Sequence, residues 1–189
     1  MNSTFIVVII GLSGCGKSYM IDYVLKNANV RIKKVIAVTT RPPRKCEKDG
    51  VDKFFRTEKI FEEENGRNQY CFVNEVYDYK YAFYRRDFFS TCNLICELYY
   101  KNYKEMKLIN GNCKSIYVRP SDIDILEAKL LERGSSKGEV TKRLQTLQKE
   151  NYELEKLAKE SCFDYIFTND FTPRSVYKFR NLIESILMS

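Results

Sequence analysis

Short apolar runs alternate with amphipathic segments along most of this chain. Residues 5–10 are all aliphatic or aromatic and mostly β-branched, which is typical of a strand buried on both faces. Apolar residues then recur at helical spacing after residue 17, so a helix is expected there. The same reasoning predicts further strands at residues 32–38, 93–98, 114–118 and 165–169, and further helices at about 121–132, 139–159 and 172–187. Strands that alternate with helices predict an α/β fold, with a parallel sheet covered by helices on both faces.

Residues 39–86 depart from this alternation. Pro42 and Pro43 stop regular structure and hold the neighbouring arginines on a stiff, extended segment. Further on, tyrosine and phenylalanine recur at every second position of residues 77–83, which is the period of a strand. These aromatic residues are either the core of a small β subdomain, which accounts for most of them, or a stacking surface for a nucleobase.

Composition narrows the class of protein. The 189 residues are enough for one domain, and an apolar fraction of 44% is enough for a full core. No apolar run is long enough to span a membrane, and the seven cysteines include no C-x-x-C pair. We therefore expect free thiols in a reducing, cytoplasmic compartment. The sequence contains no histidine, which excludes imidazole bases and histidine metal ligands.

The net charge of the chain is +7, and its basic residues are spread out rather than gathered in one run. This distribution favours a basic surface around a phosphate site over a nucleic-acid-binding surface. We expect phosphate-bearing small molecules as partners, with no membrane or nucleic acid, and a monomer or homodimer.

Residues 11–18 match the phosphate-binding P-loop motif G-x-x-x-x-G-K-[ST] at every position, between a predicted strand and a predicted helix. Its glycines let successive backbone N–H groups point into one concavity, and the helix N-terminus adds attraction for phosphate. Lys17 can reach the β- and γ-phosphates of ATP, and the Ser18 hydroxyl can bind Mg²⁺. The residues predicted to bind ATP here are Gly11, Ser13, Gly14, Cys15, Gly16, Lys17 and Ser18.

Several further sequence blocks, in order, resemble the guanylate kinase family over nearly the whole chain. The block T-T-R-P-P-R at residues 39–44, followed by D-G-V-D at 49–52, is specific to that family, and D-Y-I-F-T-N-D at 164–170 agrees with it. The resemblance implies a three-layer P-loop fold with a small β subdomain that binds the nucleoside monophosphate, and a helical lid. As one guanylate kinase-like domain over 1–189, it would divide into a core of 1–38, 87–133 and 149–189, an acceptor-binding subdomain of 39–86, and a lid of 134–148.

The resemblance also implies roles for acceptor-binding residues. Arg41 and Arg44 match two arginines that grip the acceptor phosphate, a dianion that suits bidentate guanidinium groups. Tyr81 matches a tyrosine that contacts the same phosphate. Lys53 replaces a phosphate-binding tyrosine of the family, and a lysine there can still contact a phosphate.

Other residues match the family's catalytic and donor-binding positions. Arg133 and Arg143 flank the lid and match arginines that stabilise the transferring phosphoryl group, so they join Lys17 and Arg41 as catalytic candidates. The resemblance further implies that Asn169 lies near the adenine of ATP. Glu97 falls where the family has an aspartate near Mg²⁺, and the longer carboxylate could act through a bound water.

The chain departs from the family where polar groups read the guanine base. Ala37 replaces a serine, Phe72 a glutamate, Phe83 a serine or threonine, and Tyr99 an aspartate. A small shift in the alignment of residues 66–83 would instead bring Glu75 to the glutamate position, so Glu75 is a further substrate-binding candidate.

The sequence therefore predicts ATP-dependent phosphoryl transfer to a nucleoside monophosphate, with GMP to GDP as first choice. Another nucleoside monophosphate or a sugar phosphate is the alternative acceptor. A guanylate kinase-like binding module without catalysis is the alternative from a different class, but such modules tend to lose P-loop residues that this chain keeps.

Overall fold

The computed structural model describes residues 4–126, 128 and 137–189, and for residues 137–145 it describes the backbone. In chain order its elements are β1 (Ile6–Ile10), α1 (Lys17–Asn27), β2 (Ile32–Lys34), β3 (Ala37–Thr39), β4 (Phe54–Phe55), α2 (Glu58–Gly66), β5 (Tyr70–Val76), β6 (Tyr79–Tyr84), β7 (Asn93–Glu97), α3 (Tyr103–Ile109), β8 (Cys113–Pro120), α4 (Lys137–Lys159), β9 (Tyr165–Asn169) and α5 (Pro173–Met188). Short 3₁₀ turns at Arg85–Phe88 and Tyr100–Asn102 flank β7. The predicted α/β class is confirmed.

A five-stranded parallel sheet forms the centre of the molecule, in the order β2-β7-β1-β8-β9. The middle strand β1 pairs with β7 at one edge and with β8 at the other, and none of its residues has solvent-accessible surface. This is the environment that the apolar run at residues 5–10 predicts.

Helices cover both faces of this sheet. Tyr117 and Val118 point to opposite faces of β8, since side chains alternate along a strand. The Tyr117 hydroxyl donates to Glu155 of α4 at 2.9 Å, so α4 lies on its face. On the other face, Phe167 is the cross-strand neighbour of Val118 and packs edge-on against Phe179 of α5, with ring centroids 5.1 Å apart. The three layers inferred from the resemblance are present.

A second sheet of four strands, in the order β4-β3-β6-β5, stands apart from the first. It has its own small core, made of Val38, Phe61, Tyr70, Ala82 and Tyr84. Part of the aromatic stretch therefore forms a β-subdomain core, as the sequence favoured. β6 begins at residue 79 rather than 77, because Tyr77 and Asp78 both have positive φ (53° and 63°) and form the turn between β5 and β6.

The predicted strand at residues 32–38 is two strands in different sheets. β2 pairs with β7 of the central sheet, whereas β3 pairs with β6 of the second sheet. The second sheet thus begins at Ala37, two residues before the predicted subdomain boundary. An apolar pattern is the same whether a strand stays in one sheet or passes into another, so the sequence did not reveal the break.

Residues 134–136 of the predicted lid at 134–148 lie outside the described residues. The rest of the predicted lid is the first part of α4, which begins at Lys137. Within the predicted helix at 121–132, residues 125, 126 and 128 are helical, whereas residues 127 and 129–132 lie outside the described residues, as does Arg133. Among the helices that the structure describes, none combines the length and apolar character needed to cross a membrane.

Candidate active site

The P-loop connects the C-terminal end of β1 to the start of α1, and two of its glycines are sterically required. A Cβ atom added at Gly11 would lie 2.2 Å from the carbonyl oxygen of Val118 on the neighbouring strand. A Cβ at Gly16 would lie 2.7 Å from the Asn169 side chain, and Gly16 has a φ of +87°, which L-residues rarely adopt. The loop can therefore pack this closely against β8 and β9 only with glycine at both positions.

Lys17 is the first residue of α1, and its ammonium group is held over the loop. Its Nζ donates to the carbonyl oxygens of Gly11 and Leu12 at 2.9 and 2.8 Å. Cys15 is buried within the loop, and burial raises the pKa of its thiol, although Lys17 opposes this shift. Cys15 is thus a neutral packing residue at neutral pH, and Lys17 is the loop's cation.

Glu97 ends β7 and lies beside the loop, because β7 and β1 are parallel neighbours with Glu97 paired to Ile9. Burial by itself would raise the pKa of Glu97. The cations Lys17 and Lys53 and a hydrogen bond from the Ser18 hydroxyl outweigh burial and hold that pKa below its usual value. An ionised carboxylate and a hydroxyl in contact are hard oxygen ligands of the kind Mg²⁺ takes, so Ser18 and Glu97 fit the predicted metal role.

Arg41 and Arg44 converge on the carboxylate of Glu47. Nη2 of Arg41 donates to both carboxylate oxygens at 2.9 and 2.8 Å, and its Nη1 donates to the Pro42 carbonyl at 2.7 Å. The backbone N–H of Arg44 donates to Glu47 at 2.8 Å, and its guanidinium lies 3.5 Å from the same side chain. Burial favours a raised pKa for Glu47, but the hydrogen bonds from Arg44 and Arg41 lower it overall, so Glu47 is ionised and orients both arginines.

One cleft, with a volume of about 200 Å³, brings half of the predicted site residues together. It runs from the P-loop across the gap between the two sheets. The predicted residues that line it are Gly11, Ser13, Lys17, Arg41, Arg44, Lys53, Tyr81 and Glu97. Lys53 is half-buried there, and burial lowers the pKa of its amine while Glu97 opposes this shift. The cleft is therefore rich in cations along the wall that the loop and the arginines share.

The far wall of the cleft is aromatic and apolar. The positions at which this chain lacks the family's guanine-reading groups all line it, namely Ala37, Phe72, Phe83 and Tyr99. Glu75 lies outside the cleft and is exposed, because Asn74 and Val76 on either side of it in β5 face inward. The interpretation that a carboxylate at position 75 reads the base does not fit this geometry.

Asn169 fixes the end of β9 to the P-loop. Its Nδ2 donates to the Cys15 carbonyl at 2.9 Å, and its Oδ1 accepts the backbone N–H of Phe171 at 3.0 Å. With Gly16 and Tyr19 it lines a second hollow of about 320 Å³ beside the loop. Asn169 therefore lies beside this hollow, and its side-chain amide is hydrogen-bonded to the backbone of Cys15 and Phe171.

Three polar residues of the site were not singled out from the sequence. Glu47 follows the arginine block by three residues, a spacing that could have suggested its role. Asn74 lines the cleft from β5, and Glu150 reaches it from α4, where it accepts a hydrogen bond from the Tyr99 hydroxyl at 3.3 Å. Asn74 and Glu150 belong to no local motif, so only the packed structure shows them.

Of the predicted catalytic arginines, Arg133 lies outside the described residues, and only the backbone of Arg143 is described.

Comparison with known proteins agrees with this arrangement. The profile of the family described as guanylate kinase matches residues 3–186. The chain belongs to the guanylate kinase family. A guanylate kinase of Mycoplasmoides gallisepticum is 30% identical over 183 residues, covering 94% of this chain and 91% of the relative. Another from Rickettsia felis is 28% identical over 187 residues, covering 96% and 94%. The resemblance inferred from the motifs is confirmed.

Solved structures give the same fold. A guanylate kinase from Anaplasma phagocytophilum superposes with a TM-score of 0.65 at 19% identity, covering 98% of this chain and 85% of that one. A shikimate kinase from Bacteroides thetaiotaomicron gives a TM-score of 0.52 at 17% identity, covering 98% and 99%. Membership of the guanylate kinase family indicates a nucleotide-binding phosphotransferase of the nucleoside monophosphate kinase class.

Proposed function

We propose that this chain transfers the γ-phosphoryl group of ATP to a nucleoside monophosphate, with GMP as the first candidate acceptor and GDP as its product. The observation that carries the proposal is the single cleft lined by Lys17, Glu97, Arg41 and Arg44. A donor phosphate held by the loop and an acceptor phosphate held by the arginines would face each other across it. Phosphoryl transfer depends on such positioning and on charge neutralisation.

The roles of the side chains follow from their chemistry. Lys17 neutralises charge on the β- and γ-phosphates as the phosphoryl group moves. Ser18 and Glu97 would hold Mg²⁺, which supplies further neutralisation of the donor phosphates. Arg41 binds the acceptor phosphate, which is mostly ionised near neutral pH and needs no base, in keeping with a chain that has no histidine. We assign the stabilisation of the transferring group to Arg133 and Arg143.

A second acceptor class is favoured by the apolar far wall of the cleft. A site that hydrogen-bonds a base edge rejects analogues lacking that edge, because its own polar groups would be left unpaired. Ala37, Phe72 and Phe83 offer no such side-chain groups, so discrimination there rests on shape and stacking. Another nucleoside monophosphate, or a sugar phosphate, is therefore the second candidate acceptor.

A coupled ADP-release assay over GMP, IMP, AMP, CMP, UMP and ribose 5-phosphate, with ATP and Mg²⁺, tests the function. We expect turnover with at least one nucleoside monophosphate. Lys17→Ala should lower kcat by about 10²-fold or more, since it removes a preorganised charge at the transferring group. The matched control is Lys26→Ala, on the exposed face of the same helix. Normal turnover by Lys17→Ala would overturn the assignment of the loop.

A further inference from the structure

Asn74 is the only residue on the inward-facing part of β5 with a polar side chain, among the described residues that line the cleft. Its neighbours on that face are Phe72 and Val76. Asn74 is half-buried and stands at the point where β5 re-enters register with β6 after a bulge, opposite Tyr81. A polar group placed by a bulge in an aromatic wall is a candidate for a specific contact with a ligand.

Hydrogen bonds fix which way the Asn74 amide is turned. Nδ2 donates to the carbonyl oxygen of Phe72 at 2.8 Å and to Oδ1 of Asn102 at 2.5 Å. A backbone carbonyl can only accept, so the nitrogen must be the atom that faces Phe72. Asn102 is oriented in turn by donating its own Nδ2 to Glu105 at 3.5 Å.

These two hydrogen bonds use both N–H groups of the Asn74 side chain and leave its amide oxygen, Oδ1, available to accept a hydrogen bond. No hydrogen bond within the described part of the chain reaches Asn74 Oδ1. The residue therefore offers the cleft a fixed acceptor and no donor.

The sheet register places Asn74 away from the phosphate-binding arginines. Asn74 is paired with Tyr81 of β6, and Tyr81 is paired with Thr39 of β3, two residues before Arg41. Two interstrand spacings separate Asn74 from Thr39, roughly 10 Å. With an acceptor phosphate on Arg41 and Arg44, the far end of the same molecule would reach Asn74, and in a nucleotide that end is the base.

We infer that Asn74 is a specificity-determining residue of the acceptor site, where its Oδ1 accepts a hydrogen bond from an N–H group of the acceptor's base. The inference rests on the proposed function and deepens it. It selects acceptors whose base carries an N–H donor, and it disfavours sugar phosphates and bases without one. A single hydrogen bond does not distinguish between bases that all carry an N–H donor. Asn74 therefore requires a donor on the base without selecting one particular base.

The test compares two acceptors that differ in this donor. Purine riboside 5′-monophosphate has the purine rings and no N–H group on the base, and it is compared with whichever of GMP, IMP and AMP turns over fastest. In the parent protein we expect the kcat/KM ratio of the two to be about tenfold or more, since the base without a donor leaves Oδ1 unpaired. Asn74→Leu should bring the ratio to within about twofold, because it removes the acceptor.

Asn102→Ala is the matched control, because it removes the same Asn74–Asn102 hydrogen bond while keeping Oδ1 and the contact to Phe72. It should keep the parent ratio, whereas a purely structural role for Asn74 would make both variants lower both acceptors equally. A ratio left unchanged by Asn74→Leu, with turnover intact, would overturn the inference alone. No turnover with any monophosphate would overturn the proposed function and the inference with it.

Discussion

At the scale of single residues, Glu47 is the contact that prepares the acceptor site. Its carboxylate receives three hydrogen bonds from Arg41 and Arg44. The two bonds from the Arg41 guanidinium, together with the ion pair at 3.5 Å between Glu47 and the Arg44 guanidinium, restrict both long side chains. Less conformational entropy is therefore lost when a phosphate binds. The arginine pair that the motif supplies is therefore oriented by a third residue close to it in the chain.

We predict that Glu47→Ala raises the KM of the acceptor by about five- to tenfold, since it removes charge-assisted bonds that orient both arginines. The KM of ATP should change little. Steady-state kinetics with each substrate varied in turn gives both values. The control is Glu62→Ala, an exposed carboxylate of the same subdomain that pairs with Lys80. A lower acceptor KM in Glu47→Ala would mean that Glu47 competes with phosphate instead.

At the scale of elements, hydrogen bonds to Asp164 connect the start of β9 to α3 and β8. Its Oδ2 accepts from the Tyr103 hydroxyl of α3 at 2.6 Å, and from both the backbone N–H and the hydroxyl of Ser115 on β8 at 2.9 Å. Partial burial would raise the pKa of Asp164, but the hydrogen bonds from Tyr103 and Ser115 outweigh it and hold the pKa below its usual value. One carboxylate thus joins a helix and two strands of the central sheet.

The lowered pKa of Asp164 determines how the free energy of unfolding changes with pH. A carboxylate whose pKa is lowered by folding stabilises the native state fully above its unfolded pKa of about 3.9, and loses that effect as pH falls through the folded value. Asp164→Asn should therefore lower the free energy of unfolding by about 1–3 kcal/mol at pH 7. Below about pH 4 the difference from the parent should shrink.

Urea denaturation at a series of pH values between neutral and acid measures this difference. Asp78→Asn is the matched control, because Asp78 lies in the exposed β5–β6 turn and asparagine also tolerates its positive φ. The control should stay within about 0.5 kcal/mol of the parent at neutral pH. A gap for Asp164→Asn that stayed constant down to acid pH would refute the role given to its charge.

At the scale of the whole molecule, the cleft lies between two sheets that the chain crosses twice. It passes from β2 to β3 through Val35 and Ile36, and it returns from β6 to β7 through the 3₁₀ turn at Arg85–Phe88. The P-loop follows β1 and Glu97 ends β7 in the central sheet, whereas Arg41 follows β3 and Lys53 precedes β4 in the second sheet. Bringing the two phosphates together therefore requires the two sheets to be held at a set separation.

We predict that the second sheet closes toward the central sheet when both substrates are bound, since closure excludes water from the transferring group. Small-angle X-ray scattering should show a smaller radius of gyration with a non-hydrolysable ATP analogue and GMP together than with either alone. Glu47→Ala at saturating acceptor should still close, because the variant weakens binding and leaves the sheets intact. An unchanged radius in the parent protein would count against closure.

Much of the fold could be predicted from the sequence, because its strands carry local patterns. The apolar run at residues 5–10 predicts a central strand, and β1 is fully buried. The break at residues 35–36 could not be predicted, because Val35 still donates its N–H to Ile95 at 2.9 Å and is as buried as a strand residue. What separates β2 from β3 is the partner strand of each, and partners are distant in sequence.

The candidate site also has one part that the sequence predicts and another part that only strand pairing determines. The sequence by itself determined the P-loop and the arginine block, because their chemistry depends on covalent spacing within eight or fewer residues. It did not determine which side chains of β5 face the cleft. The bulge after Cys71, with Phe72 at a φ of +55°, sets Phe72 and Asn74 inward and Glu75 outward. A bulge arises from pairing with β6, and a single extra residue reverses the facing of those that follow.

Only the tertiary structure decided how these local pieces meet. Asn169 reaches the carbonyl of Cys15 across 154 positions of sequence, and Gly16 must be glycine because Asn169 is there. Local patterns fix what each segment can do chemically, since backbone geometry acts over a few residues. Their assembly into one cleft depends on packing and strand pairing between segments far apart in the chain, and those interactions leave no local pattern in the sequence.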